Sequence, residues 1–194
     1  MTVILGRKLK NELVIAGDKR GSDIQGNKMR DDLKKIVVLN NYLAIASAGN
    51  DSISKVIQMD LAKVGKLEDL TVDDVIDTIY KFYKKANELS PNIALLNAYF
   101  IIAGKMKSGN YKLYVVFCQK GNVEVRETEC CILSPEDMKL QECQQILNDN
   151  ILSFNKNYVE NTIKIISERS KLVSSSGEKW TLDIINNKSQ IESF

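Results

Sequence analysis

The chain has 194 residues, with 27 Lys and Arg against 25 Asp and Glu, a length that buries a substantial core and predicts one globular domain over 1–194. A formal charge of +2 is too balanced to select nucleic acid or an anionic membrane as partner, and only two prolines and ten glycines exclude Pro-rich linkers and collagen-like repeats. The sequence contains no histidine, which removes Ser/His and Cys/His nucleophile pairs, His-containing zinc sites and the usual neutral-pH proton shuttle together.

Short apolar runs at 3–9 and 13–17 around the turn Lys10-Asn11-Glu12, then at 35–39 and 42–48 around Asn40-Asn41, predict two successive β-hairpins. Asn50 or Asp51 then caps a segment in which Ile53, Val56, Ile57, Leu61 and Val64 follow helical spacing, with Gly65 at its stop. A second amphipathic helix starts at Thr71, with Asp74 three residues on, carries Val72, Val75, Ile76, Ile79, Tyr83 and Ala86 on one side, and ends before Pro91. Runs at 98–105, 112–118 and 123–127, separated by Ser108-Gly109-Asn110 and Lys120-Gly121-Asn122, predict a three-stranded meander. Ser134-Pro135-Glu136-Asp137 reads as the cap and first turn of a third helix reaching Leu152, and Asn157 opens a fourth with Val159, Ile163 and Ile166 inward. Residues 180–185 close the pattern as a strand. Strands, two helices, strands, two helices and a strand cannot bury both helix pairs on one sheet face, so the expected class is α+β, a four-layer sandwich of two antiparallel sheets between helix layers.

Without histidine, acid and base chemistry falls to Lys, Asp, Glu, Tyr, Cys and the amino terminus, whose ordinary pKa of about 7.7–8.0 is the closest of these to neutral. The first residues, Met1-Thr2-Val3-Ile4-Leu5, are followed at once by Gly6-Arg7-Lys8 and lack a signal-peptide pattern. The most apolar segment, 93–103, contains Asn97 and is far short of the roughly 20 residues of a membrane helix. A cytoplasmic protein with no membrane partner is the expectation. Cys118, Cys130, Cys131 and Cys143 form no C-x-x-C pair and read as reduced thiols. No cluster or glycine-rich phosphate loop calls for a metal, nucleotide or organic cofactor.

Met1-Thr2-Val3-Ile4, Val14-Ile15-Ala16-Gly17-Asp18-Lys19-Arg20-Gly21-Ser22, Lys34-Lys35-Ile36 and Ile45-Ala46-Ser47-Ala48-Gly49 together resemble proteasome β-type subunits, which are N-terminal nucleophile (Ntn) hydrolases. The bacterial two-ring peptidase that works with an ATP-dependent unfoldase looks nearest, because there too only an initiator methionine would have to be removed. The likeness is dense over the first fifty residues; beyond them the order of elements matches the family's αββα sandwich. It implies a threonine peptidase acting on peptides or unfolded proteins inside a homo-oligomeric ring, with an ATP-dependent unfoldase as an implied partner.

Carried over by position, Thr2 is the nucleophile and, after removal of Met1, its own amine the base. Lys35 would favour the ionised hydroxyl through its charge, and Asp18 would hold the lysine. The interval from Asp18 to Lys35 is one residue longer than in the family, so either the loop at 21–32 absorbs an insertion or Lys34 takes the role; Lys35 keeps the strand from Ile36 in register. Gly49 matches the backbone donor to the oxyanion. Arg20 and Ser22 match the family's Arg and Thr that follow the aspartate, the second beside the bound peptide. Two features depart from the pattern. Cys130-Cys131-Ile132-Leu133-Ser134-Pro135 stands where the family has a glycine-rich loop, leaving Ser134 either as that loop's serine or as a helix cap. In Ser174-Ser175-Ser176-Gly177, Ser176 matches the serine near the threonine amine, while Val173 stands where an aspartate is expected. A non-catalytic proteasome-like subunit, acting in assembly or peptide binding, is the alternative these departures support.

Overall fold

Apolar residues on both faces of successive strands build two sheets that need cover on either side. The computed structural model describes residues 2–22, 28–90, 92, 96–153 and 156–194. The first hairpin is β1 (Ile4–Lys8) and β2 (Glu12–Asp18), with Ile4 opposite Gly17. A two-stranded ribbon of β3 (Gly21–Ser22) and β4 (Lys28–Arg30) follows, then the second hairpin, β5 (Ile36–Asn40) and β6 (Leu43–Gly49). Helix α1 (Asp51–Val64) is capped by Asn50, whose side chain accepts from the backbone N–H of Ser52 and Ile53. Helix α2 (Val72–Leu89) starts at Thr71, where the Asp74 carboxylate accepts from the Thr71 N–H and hydroxyl. The meander is β7 (Ala98–Lys105), β8 (Tyr111–Gln119) and β9 (Asn122–Glu127). After β10 (Cys130–Leu133) come helices α3 (Leu140–Leu152) and α4 (Tyr158–Arg169), then β11 (Gly177–Asp183) and β12 (Lys188–Ser193).

The strands form two antiparallel five-stranded sheets, ordered β10-β1-β2-β11-β12 and β5-β6-β7-β8-β9. Three apolar layers lie between and outside them. Ile4, Leu13, Ile15, Leu133 and Trp180 of the first sheet meet Ala44, Ala46, Ile101 and Val115 of the second; the alanines of β6 leave room for the larger side chains opposite. On the outer face of the second sheet, Ile57 and Leu61 of α1 and Val75, Ile79 and Tyr83 of α2 cover Ile45, Phe100 and Ile102. On the outer face of the first, Cys143, Ile146 and Leu147 of α3 and Ile163 and Ile166 of α4 cover Val3, Leu5, Val14 and Ala16. Strand β7, AYFIIAGK, is buried on both faces, which is why it reads as a continuous apolar run. Among the described residues no helix is long and apolar enough to cross a membrane.

The expected third helix is corrected at its start. It begins at Leu140, with Lys139 rather than Ser134 in the cap position. Pro135 to Met138 forms a turn closed by the Met138 N–H on the Pro135 carbonyl, and the Asp137 carboxylate accepts from the Ser170 hydroxyl at 2.6 Å and the Lys171 N–H at 3.2 Å. The acid that looks like a first-turn residue instead ties this turn to the segment after α4. The stretch from Cys130, read as standing in a loop, is strand β10, paired along β1 with Leu133 opposite Ile4.

Candidate active site

Every group of the site stands at or just beyond a strand end. Asp18 is the last residue of β2 and Thr2 precedes β1, the partner of β2 in the hairpin. Lys35 precedes β5 in the facing sheet, and Gly49 ends β6. Packing the sheets face to face brings these positions to one end of the sandwich. Thr2, Asp18 and Lys35 are 6%, 1% and 5% exposed, so the two charges face each other where water screens little.

Asp18 is fully committed. Its Oδ1 accepts from the Thr2 hydroxyl, from the Val3 N–H at 3.1 Å and from Lys35 Nζ at 2.7 Å. Its Oδ2 accepts from the Arg20 N–H at 2.9 Å and the Ser174 N–H at 3.1 Å. Such a hub satisfies a buried carboxylate, which would otherwise cost several kcal/mol to desolvate. Lys35 Nζ also donates to Thr2 Oγ1. Burial lowers the Lys35 pKa below that of a free lysine, against the opposing charge and hydrogen bond of Asp18. The Thr2 oxygen therefore touches one cation and one anion: the Lys35 ammonium stabilises negative charge developing on it, while the Asp18 carboxylate holds the lysine and accepts the hydrogen bond of the neutral hydroxyl.

Of the two candidate lysines, Lys35 makes these contacts, while Lys34 is exposed on the wall of a cavity of about 120 Å³ that opens over Thr2. Arg20, Gly21, Ser47 and Gly49 line the same cavity. Gly49 has φ +88°, and a Cβ there would lie 2.6 Å from the Asn97 carbonyl oxygen, so glycine is required for β6 to turn into α1. The Arg20 side chain is held in place, its Nε donating to Asp31 at 2.8 Å and its Nη1 to the Lys171 carbonyl at 2.8 Å. Ser22 lies on β3, and its side chain is outside the described residues, as is Met1.

Ser176 stands beside the hub. Its hydroxyl is 2.7 Å from that of Ser174, its N–H donates to the Ser174 hydroxyl, and its carbonyl accepts from the Lys19 N–H. Val173 is 1% exposed among the apolar residues under α3 and α4. Residues missed from sequence are Ser174, whose N–H reaches Asp18, and Asp137, which with Arg20 secures the segment leading to it. Three consecutive serines carry no signal of which one turns inward, and Asp137 looked like part of a helix.

The four thiols are free, and burial pushes those of Cys118 and Cys131 up to about 12 and that of Cys143 to about 11; none of these three is an activated nucleophile. Among the described residues no group of three or more Cys, Asp or Glu is placed to hold a metal ion. No family model and no curated protein matches the sequence.

Proposed function

We propose that the chain is an N-terminal-nucleophile threonine peptidase of the proteasome β type, with the Ntn hydrolase fold. The observation that carries this reading is the buried contact of Thr2 Oγ1 with Lys35 and Asp18 at the foot of an open cavity, in a protein with no histidine. Once Met1 is removed, the amine of Thr2 takes the proton of its own hydroxyl as the oxygen adds to the peptide carbonyl. The backbone N–H of Gly49 donates to the resulting oxyanion, the charge of Lys35 having favoured the attacking oxygen. Collapse breaks the C–N bond, the α-ammonium returns its proton to the departing amine, and water hydrolyses the ester left on Thr2. Ser176 orients the amine, and the backbone beside Arg20 and Ser22 flanks the peptide.

A closed homo-oligomer is part of this reading, because an unenclosed protease of this kind would cut indiscriminately. Exposed Val56 and Met59 on α1 supply apolar surface for heterologous contacts of a ring. The test is hydrolysis of a fluorogenic peptide by the protein lacking Met1: activity that Thr2→Ala abolishes without changing the far-ultraviolet circular dichroism supports the reading, and activity that survives Thr2→Ala overturns it. Val173, an apolar residue at the position of the expected acid, favours a second reading, a non-catalytic subunit for assembly or peptide binding, in which Thr2→Ala changes nothing measurable.

A further inference from the structure

One cavity opens at the end of the sheets that holds Thr2, and a second begins beside it at Leu133, opposite Ile4, and runs along β10 to Cys130, opposite Arg7. The first lies over β5 and β6 and holds Thr2. The second, of about 460 Å³, lies over β7, β8 and β10, with Tyr99, Val115, Phe117, Ile132 and Leu133 in its wall. The strand order puts them on opposite flanks of Thr2. Ile4 faces Leu133 across β1 and β10, and in the other sheet Ala48, beside Gly49, faces Tyr99, which in turn faces Phe117. Neighbouring strands are about 4.8 Å apart and an extended chain advances about 3.3 Å per residue. One or two residues of a peptide passing over Thr2 therefore span the step from β1 to the second cavity.

The wall of that cavity is more apolar than polar, and several of its polar groups are paired within the protein. Phe117 stands edge-on to Tyr99 with ring centroids 6.2 Å apart, and the Tyr99 hydroxyl already accepts from Gln119 Nε2 at 2.7 Å. The charges at the rim are paired within the protein: Arg126 donates to Glu124 at 2.6 Å with its guanidinium 5.3 Å from the Phe117 ring, and Glu127 accepts from Lys112. Among the described residues the charges in its wall are paired, whereas a pair of rings beside aliphatic side chains suits an apolar ligand.

We propose that this second cavity receives a large apolar side chain, aromatic or branched aliphatic, from the leaving-group half of the peptide cleaved at Thr2. The inference rests on the threonine peptidase reading and takes the acyl half to lie over the first cavity, because the Gly49 N–H that would meet the oxyanion of the acyl carbonyl is in its wall. It adds a specificity element built from β7, β8 and β10, and it assigns the stretch beginning at Cys130 a place in the substrate path.

Three substrates with one acyl half test it on the protein freed of Met1: two internally quenched peptides carrying Phe or Ser at the two positions after the scissile bond, and an aminocoumarin amide with no residue there. The expected result is a kcat/KM for the Phe peptide roughly tenfold or more above that for the Ser peptide, the scale of burying one such side chain. Gln144→Trp, on the exposed side of α3 at the cavity wall, brings the ratio towards one by filling the space; Phe117→Ala lowers it by removing a ring. Cleavage of the aminocoumarin amide with equal rates for the two peptides overturns this inference and leaves the peptidase reading standing, as does a ratio that neither variant alters. Cleavage of none of the three overturns both.

Discussion

Asp18 accepts five hydrogen bonds in a buried position, and its removal strands more than one partner. Asp18→Ala leaves Lys35 without its counter-charge and the N–H groups of Val3, Arg20 and Ser174 without an acceptor. Breaking a buried ion pair from one side costs about 3–5 kcal/mol, and urea denaturation should show a loss of that order, together with loss of activity. The two titrations of the site set the pH profile. The Thr2 amine must be neutral to act as base, so kcat/KM rises with pH as that amine loses its proton. Lys35 must keep its proton to favour the alkoxide, and since burial lowers its pKa it loses that proton at a lower pH than a free lysine. The alkaline limb therefore falls below the 10.5 of an ordinary lysine, and a rate that stays flat to that pH would exclude the charge of Lys35 from the mechanism. At this scale the resemblance pointed to Thr2, Asp18 and Lys35, which the fold brings into contact, and register favoured Lys35 over Lys34, because a one-residue shift would turn the apolar face of β5 outward. The inward Ser174 was not legible, since its contact is made by a backbone N–H that any residue type carries.

The elements that place these residues carry their own requirements. Gly49 leaves β6 at φ +88°, with the Asn97 carbonyl where a side chain would begin. Gly49→Ala should cost at least about 1–2 kcal/mol from the left-handed conformation alone, and because the shift moves the N–H proposed to meet the oxyanion, it should lower kcat more than it raises KM. Helices α1 and α2 follow their caps and apolar stripes, except that Val56 and Val64, counted in the stripe of α1, are exposed. Strand β10 and the β3–β4 ribbon form where loops were expected, and two further departures have physical reasons. Strand β12 is exposed along most of its length and has no apolar alternation; it is held by pairing with β11 and by Phe194, whose backbone exchanges two hydrogen bonds with Gly177 and whose ring occupies the space a Cβ there would need. The turn at 134–139 imitates a helix start in composition, and only the distant partners of Asp137 on the segment at 170–171 reveal that it is a tether.

For the molecule as a whole, the sandwich was legible because the order of elements allows few ways to cover two helix pairs. The single tryptophan gives a direct probe of that packing. Trp180 is 0% exposed between the sheets, so its fluorescence should shift to the red on thermal unfolding, and the transition should coincide with loss of far-ultraviolet circular dichroism if sheets and helices melt as one unit. Separate midpoints would show that a helix layer detaches first. Assembly belongs to the same scale: Met59→Glu, which puts a charge on the exposed side of α1, should reduce the particle mass seen by light scattering while leaving the subunit folded. A wild-type particle that is monomeric at every concentration would remove the ring from the account.

The central claim is that Thr2, freed of Met1, is both nucleophile and base. The intact mass of the native protein, before and after incubation with a peptide epoxyketone that bonds to the hydroxyl and the amine of an N-terminal threonine, tests it most directly. The account predicts a chain lacking Met1 that gains one adduct, and no adduct on Thr2→Ala. A chain that begins at Thr2, keeps its native circular dichroism and gains no adduct would contradict it.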